Sequence, residues 1–243
     1  MLDIKDMMDV SAITLGAVEK NGRGSNFAEV KINGEDAIKF KFQVGGANGA
    51  CAPFGIKAGE YEAENAEKIA MALTGDAALE ALAKAIDEHL PKLVTSKSKQ
   101  LFGAPRTELQ VRDKQTPLFK PSEHPAYPAK VPLKVRVVKR KDKHGNPVGQ
   151  LTRVDFATLD PGATRYRYVP GIAADVQKGS RIIAQVRIGP VWTNATKAWG
   201  VTLEAMHLVV FPPPEGATTE EIFHNLPAPP PDAVMDDVDD SAS

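Results

Sequence analysis

The sequence predicts a mainly β chain of α+β type, a sandwich or barrel with one inserted helical element, and three observations predict it. Short runs of apolar residues alternate with polar ones and are separated mostly by brief turns, which favours antiparallel sheets over a parallel α/β sheet. A single stretch, residues 76–94, instead repeats its apolar residues at spacings of three and four. The 243 residues, 42% hydrophobic, suffice for one large core.

Taken in order, residues 1–25, with Gly22, Gly24 and mixed polarity, read as a loosely held lead-in. Residues 26–32 and 37–44 read as two strands joined at Asn33-Gly34, a strong hairpin pair. In the second strand Ile38, Phe40 and Phe42 fall on one face, and Lys39, Lys41 and Gln43 on the other. The glycine-rich stretch 45–62 lacks the Gly-Lys-Ser/Thr ending of a phosphate loop and opens no helix at dinucleotide-fingerprint spacing. Helices are predicted over 62–74 and 76–94, the second capped by Asp76 and carrying Leu79, Leu82, Ile86, Leu90 and Leu93 on one stripe, with Pro91 kinking or ending it. Residues 95–130 are rich in Ser, Lys and Pro and predict a surface path with a short strand at 108–112. Strands follow at 131–138, 149–158, 164–169, 180–189 and 198–211. The expected organisation is therefore a single folded domain over 26–212 with a helical insertion around 62–94, then a Pro-rich, acidic, disordered tail over 213–243.

Composition narrows the chemistry. One cysteine, Cys51, leaves no internal disulfide and no Cys-rich zinc site, and fits a reducing compartment. No apolar run is long enough to span a bilayer, and the opening MLDIKDMMDV is too acidic for a secretory signal, so an intracellular, soluble protein without membrane partners is expected. The five histidines are scattered, and no metalloprotease, nucleophile-elbow, phosphate-loop or kinase motif occurs. The expectation is a protein that is not an enzyme, with no metal and no cofactor. Charge is split: residues 213–243 hold eight acidic residues and no Lys or Arg, so the remainder carries 30 basic against 23 acidic residues. A body of net +7 with a tail of net −8 points to a polyanionic partner and an internal competitor for it.

The basic and aromatic residues give the candidate contacts. Residues 130–143 hold seven Lys or Arg, Lys134 and Arg136 among them, against one Asp, and 164–169 alternates Arg165 and Arg167 with Tyr166 and Tyr168. As a strand, that alternation sends the tyrosines to one face and the arginines to the other. Channels for single-stranded nucleic acid combine cations that follow phosphates with aromatic faces that stack bases. The two tryptophans, Trp192 and Trp199, stand near a predicted turn beside Arg187 and Lys197.

Gln43 shortly before Pro53-Phe54-Gly55 and Tyr61, followed far downstream by Trp192 and Trp199-Gly200-Val201-Thr202, resembles the single-stranded-DNA-binding proteins of nucleocytoplasmic large DNA viruses. The resemblance covers parts of residues 37–211 through short motifs in consistent order. It implies an elaborated OB-like β-barrel and a role in coating single-stranded DNA, without sequence preference, in viral-type replication, recombination or repair, in host cytoplasm or nucleus. Trp192 and Trp199 would then open onto the DNA groove, with Arg187 and Lys197 on phosphates. The further candidates are Tyr166, Tyr168, Arg165, Arg167, Lys134, Arg136, Lys39 and Lys41. RNA in place of DNA, replication proteins held by the tail and an oligomeric state stay open. The tail ends in Ser-Ala-Ser, unlike bacterial counterparts with an apolar last residue, although residues 220–226 offer a hydrophobic hook. The rival reading is a structural or scaffold protein of a virion or replication compartment with a basic interaction face.

A tethered acidic segment acts at an effective concentration that reaches millimolar for short linkers. Deleting residues 213–243 is expected to tighten binding of an oligonucleotide at low salt, with a gain that shrinks as salt screens both interactions. Equal affinities of full-length and truncated protein at low salt would exclude competition by the tail.

Overall fold

The computed structural model describes residues 4, 9–20, 25–45, 50–56, 68–122, 128–138, 140–141, 144, 147–148, 151–159 and 165–213. The tail predicted over 213–243 lies outside the described residues from 214 onward, including the hook at 220–226, as do residues 57–67 with Tyr61.

The architecture is mainly β, with two large sheets, a separate two-stranded ladder and a helical insertion among the described residues. Strands β1 (Ile13–Lys20) and β2 (Asn26–Ile32) pair antiparallel. Asn33 and Gly34 both have positive φ, 52° and 83°, which fits a type I′ turn, and β3 (Glu35–Asp36) returns beside β2. The predicted second hairpin strand over 37–44 is not continuous. A 3₁₀ turn at Ala37–Lys39 lifts the chain out of this sheet, and β4 (Phe42–Val44) joins the other one. The loose lead-in is also corrected, since β1 occupies Ile13–Lys20 as an edge strand, with a register shift between Leu15 and Val18.

After β5 (Ala50–Ala52), residues 68–73 form a strand, β6 (Lys68–Leu73), where a helix was predicted. Ile69, Met71 and Leu73 pack on the core while Ala70 is exposed, a period of two rather than 3.6. Helix α1 (Ala77–Ser96) is capped by Asp76, whose Oδ1 accepts from the Leu79 N–H at 3.0 Å. Its other oxygen accepts from the Gly45 N–H at 2.7 Å, tying the helix start to the end of β4.

Pro91 lies inside α1 without ending it. Proline removes the bond to the carbonyl four residues back. That carbonyl, on Asp87, accepts instead from Gln115 Nε2 at 3.0 Å, so the lost bond is replaced from another segment. Helix α2 (Ser98–Phe102) follows, then α3 (Glu108–Asp113), where a strand was predicted. The capping box at Thr107 and Gln110 decides the outcome there.

The remaining strands are β7 (Gln115–Thr116), β8 (Val131–Arg136), β9 (Arg140–Lys141), β10 (Pro147–Val148), β11 (Arg153–Thr158), β12 (Arg167–Gly171), β13 (Ser180–Ile188), β14 (Val191–Thr193), β15 (Trp199–Gly200) and β16 (Leu203–Phe211). A six-stranded sheet runs β1-β2-β14-β15-β7 with β3 beside β2. An eight-stranded sheet runs β12-β11-β16-β13-β4, with β5 on β13 and β8 between β16 and β6.

One long hairpin, 180–211, serves both sheets. Its arms pair as β13 with β16, and again as β14 with β15, and between these the Gly189 N–H donates to the Thr202 carbonyl at 2.8 Å. Strands that switch sheets at a bend are how two β layers turn a corner. With the inserted helices this is the expected mostly β fold.

Trp199 locks the insertion to the hairpin. Its indole is fully buried, Nε1–H donates to the Val111 carbonyl at 2.7 Å, and its backbone N–H donates to the Lys114 carbonyl at 3.0 Å. Trp199→Ala is expected to cost about 3–5 kcal/mol in urea-induced unfolding. A loss within ~0.5 kcal/mol, the range for surface positions, would contradict this anchoring role.

Candidate nucleic-acid interface

The eight-stranded sheet has a core face and an outer face. Ile182, Ala184, Val186 and Ile188 of β13 belong to the main core, so Arg181, Ile183, Gln185 and Arg187 take the other face. Register then aligns one row across four strands: Arg187 of β13 opposite Glu204 of β16, Glu204 opposite Lys134 of β8, and Lys134 opposite Ala70 of β6. A second pairing sets Arg136 opposite Lys68. Like charges directly opposite each other repel.

These strands wall a groove of about 360 Å³ lined by Lys39, Lys41, Lys68, Lys134, Arg136 and Arg187 against a single carboxylate, Glu204. Glu204 bridges two of them: its Oε2 accepts from Arg187 at 3.0 Å, and its Oε1 is paired with Lys68. Burial alone would raise its carboxyl, but Lys68 and Arg187 outweigh burial and hold it below the ordinary glutamate range. It is anionic at neutral pH. Thr152 fixes the floor, with Oγ1 accepting from the Arg136 N–H at 2.8 Å and donating to the Ala205 carbonyl at 2.7 Å. Lys39 also meets Glu35 at 3.5 Å across an exposed pair, which contributes little.

Five sequence candidates, Lys39, Lys41, Lys134, Arg136 and Arg187, therefore meet in one groove. Lys68 joins them and was missed, because it was assigned to a helix. Its alternating neighbours Ile69, Met71 and Leu73 carried the signal.

The other candidates sit elsewhere. Tyr168 is 43% exposed and, opposite Ala157 on β11, lies on the same outer face but at the β12 edge. Tyr166 packs edge-on against Phe211, ring centroids 5.3 Å apart, in a small apolar cluster with Ile183 and Val209. Arg165 and Arg167 are exposed, and Arg167, opposite Thr158, faces away from Tyr168. Between groove and tyrosines His207 Nε2 meets Asp155 Oδ2 at 2.7 Å, and burial pushes the imidazole below its ordinary value against the pull of Asp155.

Both tryptophans belong to the six-stranded sheet, and neither lines the groove. Trp199 is corrected from a stacking candidate to a core residue, because its ring is buried and its N–H is spent on Val111. Trp192 is half-buried, opposite Phe27 and Gly200, and a Cβ on Gly200 would lie 3.0 Å from its ring. Lys197 is exposed at the hairpin tip with φ 62° and does not reach the groove lining.

Among the described residues no group of three or more His, Cys, Asp or Glu could hold a metal ion, and no helix is long and apolar enough to cross a membrane. No protein-family model matches the chain, and no curated protein matches it. Among solved structures, it is similar to gp2.5, a single-stranded DNA binding protein encoded by bacteriophage T7, at 12% identity and a TM-score of 0.45, over 75% of this chain and 92% of that one. A likeness at that level decides nothing about what this chain binds, so the groove has to be judged on its own geometry.

Proposed function

We propose that the chain binds single-stranded nucleic acid without sequence preference, DNA being the favoured form, and acts by coating it rather than by catalysis. The observation that supports this reading is the groove on the outer face of the eight-stranded sheet, with six cations facing one carboxylate. A groove lined by cations of that excess attracts anions, and a chain of phosphates supplies them at regular spacing. Four of the cations, Lys68, Lys134, Arg136 and Arg187, come from three strands whose backbones are fixed by sheet pairing, and Lys39 and Lys41 come from the turn and the residue just before β4. They are held in place before the ligand arrives, which lowers the ordering cost of binding. None of the lining side chains is an aromatic or an amide that would read base edges, and phosphate contacts carry no sequence information.

In this reading the protein works inside a cell at sites of DNA replication, recombination or repair, and the viral family resembled by its short motifs is the proposed relationship. The competing role, a scaffold whose basic face meets acidic proteins, uses the same cations but needs no nucleic acid.

Titration with oligo-dT across a salt series tests the reading. The logarithm of the association constant is expected to fall linearly with the logarithm of salt, with a slope of about −0.7 per phosphate neutralised on a single strand. Lys134→Ala, which removes a cation from the centre of the row, is expected to make the slope shallower by about 0.7. A flat salt dependence, or oligo-dT binding no tighter than a hairpin duplex of equal charge, would overturn the proposal.

A further inference from the structure

The cationic groove has an apolar neighbour on the same face. Pro132 and Lys134 are two residues apart on β8 and point the same way, about 6.8 Å apart along the strand. Lys134 lines the cationic groove, whereas Pro132 lines a second one of about 280 Å³, together with Phe54, Gly55, Ala70, Ala72, Lys120 and Lys130. The two share β8 and β6 as their floor.

Phe54 is the unusual member. Residues 50–53, 55 and 56 are all buried, yet Phe54 between them is 53% exposed. The turn that carries it is pinned on both sides. The Gly55 N–H donates to the Ala52 carbonyl at 3.1 Å, the Ile56 N–H to the Val176 carbonyl at 3.2 Å, and the Gly179 N–H to the Ala52 carbonyl at 2.9 Å. Pro53 fixes its own φ. Gly55 has φ 62°, and a Cβ there would lie 2.4 Å from the Val176 carbonyl oxygen, so only glycine fits. A large apolar ring is thus held in water by a backbone that cannot turn it inward.

Two lysines flank the ring. Lys120 and Lys130 form an isolated antiparallel bridge, each N–H donating to the other's carbonyl at 2.9 Å. Both side chains are exposed and, among the described residues, neither is paired with a carboxylate. Like charges on directly opposed residues are destabilising, which again calls for an anion. Lys130 Nζ lies 5.9 Å from the Phe54 ring centroid. The segment leading to Lys120 is fixed by Asp87, which accepts from the Leu118 and Phe119 N–H groups at 2.9 and 2.8 Å. Ala70 and Ala72 are small, and their size leaves the space beside the ring open.

We propose that Phe54 is a base-stacking platform and that Lys120 and Lys130 hold the phosphates beside the stacked base, so that a single strand crosses β8 from this site into the cationic groove. The proposal rests on the single-strand reading above and adds a site to it. A ring alone would suit any apolar partner. A ring between two lysines with no carboxylate of their own suits a flat base joined to phosphates.

The test measures affinity of the full-length protein for oligo-dT and for an abasic strand of equal length, by fluorescence anisotropy. Phe54→Ala is expected to weaken oligo-dT binding about 5- to 150-fold, the span for loss of one stacked base, and to leave abasic binding unchanged. Phe54→Leu, which keeps apolar bulk, is expected to lose as much, and Phe54→Tyr to bind like the parent. If the parent binds oligo-dT and the folded Leu variant binds it equally well, the stacking site is overturned while the groove stands. If the parent binds no oligo-dT, the single-strand reading falls first. Loss of self-association in Phe54→Leu with oligo-dT affinity retained would make the ring a contact between copies and overturn the proposal.

Discussion

The antiparallel pairing of residues 180–188 with 203–211, carried through the bend at Gly189 and Thr202, is the constraint on which the rest of the fold depends. Each arm contributes to both sheets, so the corner between the layers is covalent and hydrogen-bonded at once. β13 gives alternate residues Ile182, Ala184 and Val186 to the core, and β16 gives Leu203, Ala205, Leu208 and Val210, with a bulge between Ala205 and His207 taking up the extra residue. The intervening positions are thereby turned outward, and that parity sets Arg187 beside Glu204 and Glu204 beside Lys134. A register slip of one residue would bury the charges and expose the core. The groove and the core are specified by the same pairing.

Beyond the bend the same hairpin receives the helices. Trp199 fills the space under α3 and donates to Val111, while Gln115 caps the carbonyl that Pro91 leaves open in α1. The insertion is therefore fastened to the six-stranded sheet by the Trp199 indole, by the Gln115 amide of β7, by Asn26 of β2, whose Nδ2 donates to the Gln100 and Leu101 carbonyls, and by His89, which meets the Ile13 carbonyl of β1. Asp87 then directs residues 118–120 toward the edge of β8.

What could be read in advance followed local rules. Asn33-Gly34, the stripe of α1 and the late strands all obey short-range periodicity or turn chemistry, and the structure has them where expected. The failures come where a distant partner outweighs a local preference. Residues 68–73 are strand because β8 pairs with them, and alternating Ile69, Met71 and Leu73 were hidden among helix-forming alanines. Residues 108–113 are the exception, helical through a local capping box at Thr107 and Gln110 that the sequence itself carries. At the site, Lys39, Lys41, Lys134 and Arg136 stood out as basic residues in strand-like runs, but nothing in the sequence said that they share one groove, and the 3₁₀ turn at Ala37–Lys39 breaks the expected alternation, so that Ile38 lines the groove beside Lys39. Trp199 could not be told from a surface aromatic, since its acceptor lies 88 residues away.

Glu204 has a further consequence for how this surface would be measured. A salt titration counts ions that leave the two partners, not side chains that touch phosphate. Lys68 and Arg187 already share a counter-ion that is part of the polypeptide, and Glu204 stays bound to the chain whatever enters the groove. Those two cations therefore hold less exchangeable anion from solution than their number implies. The ion stoichiometry of this groove would fall short of its census of lysine and arginine, and the shortfall would report the internal carboxylate rather than a weaker grip.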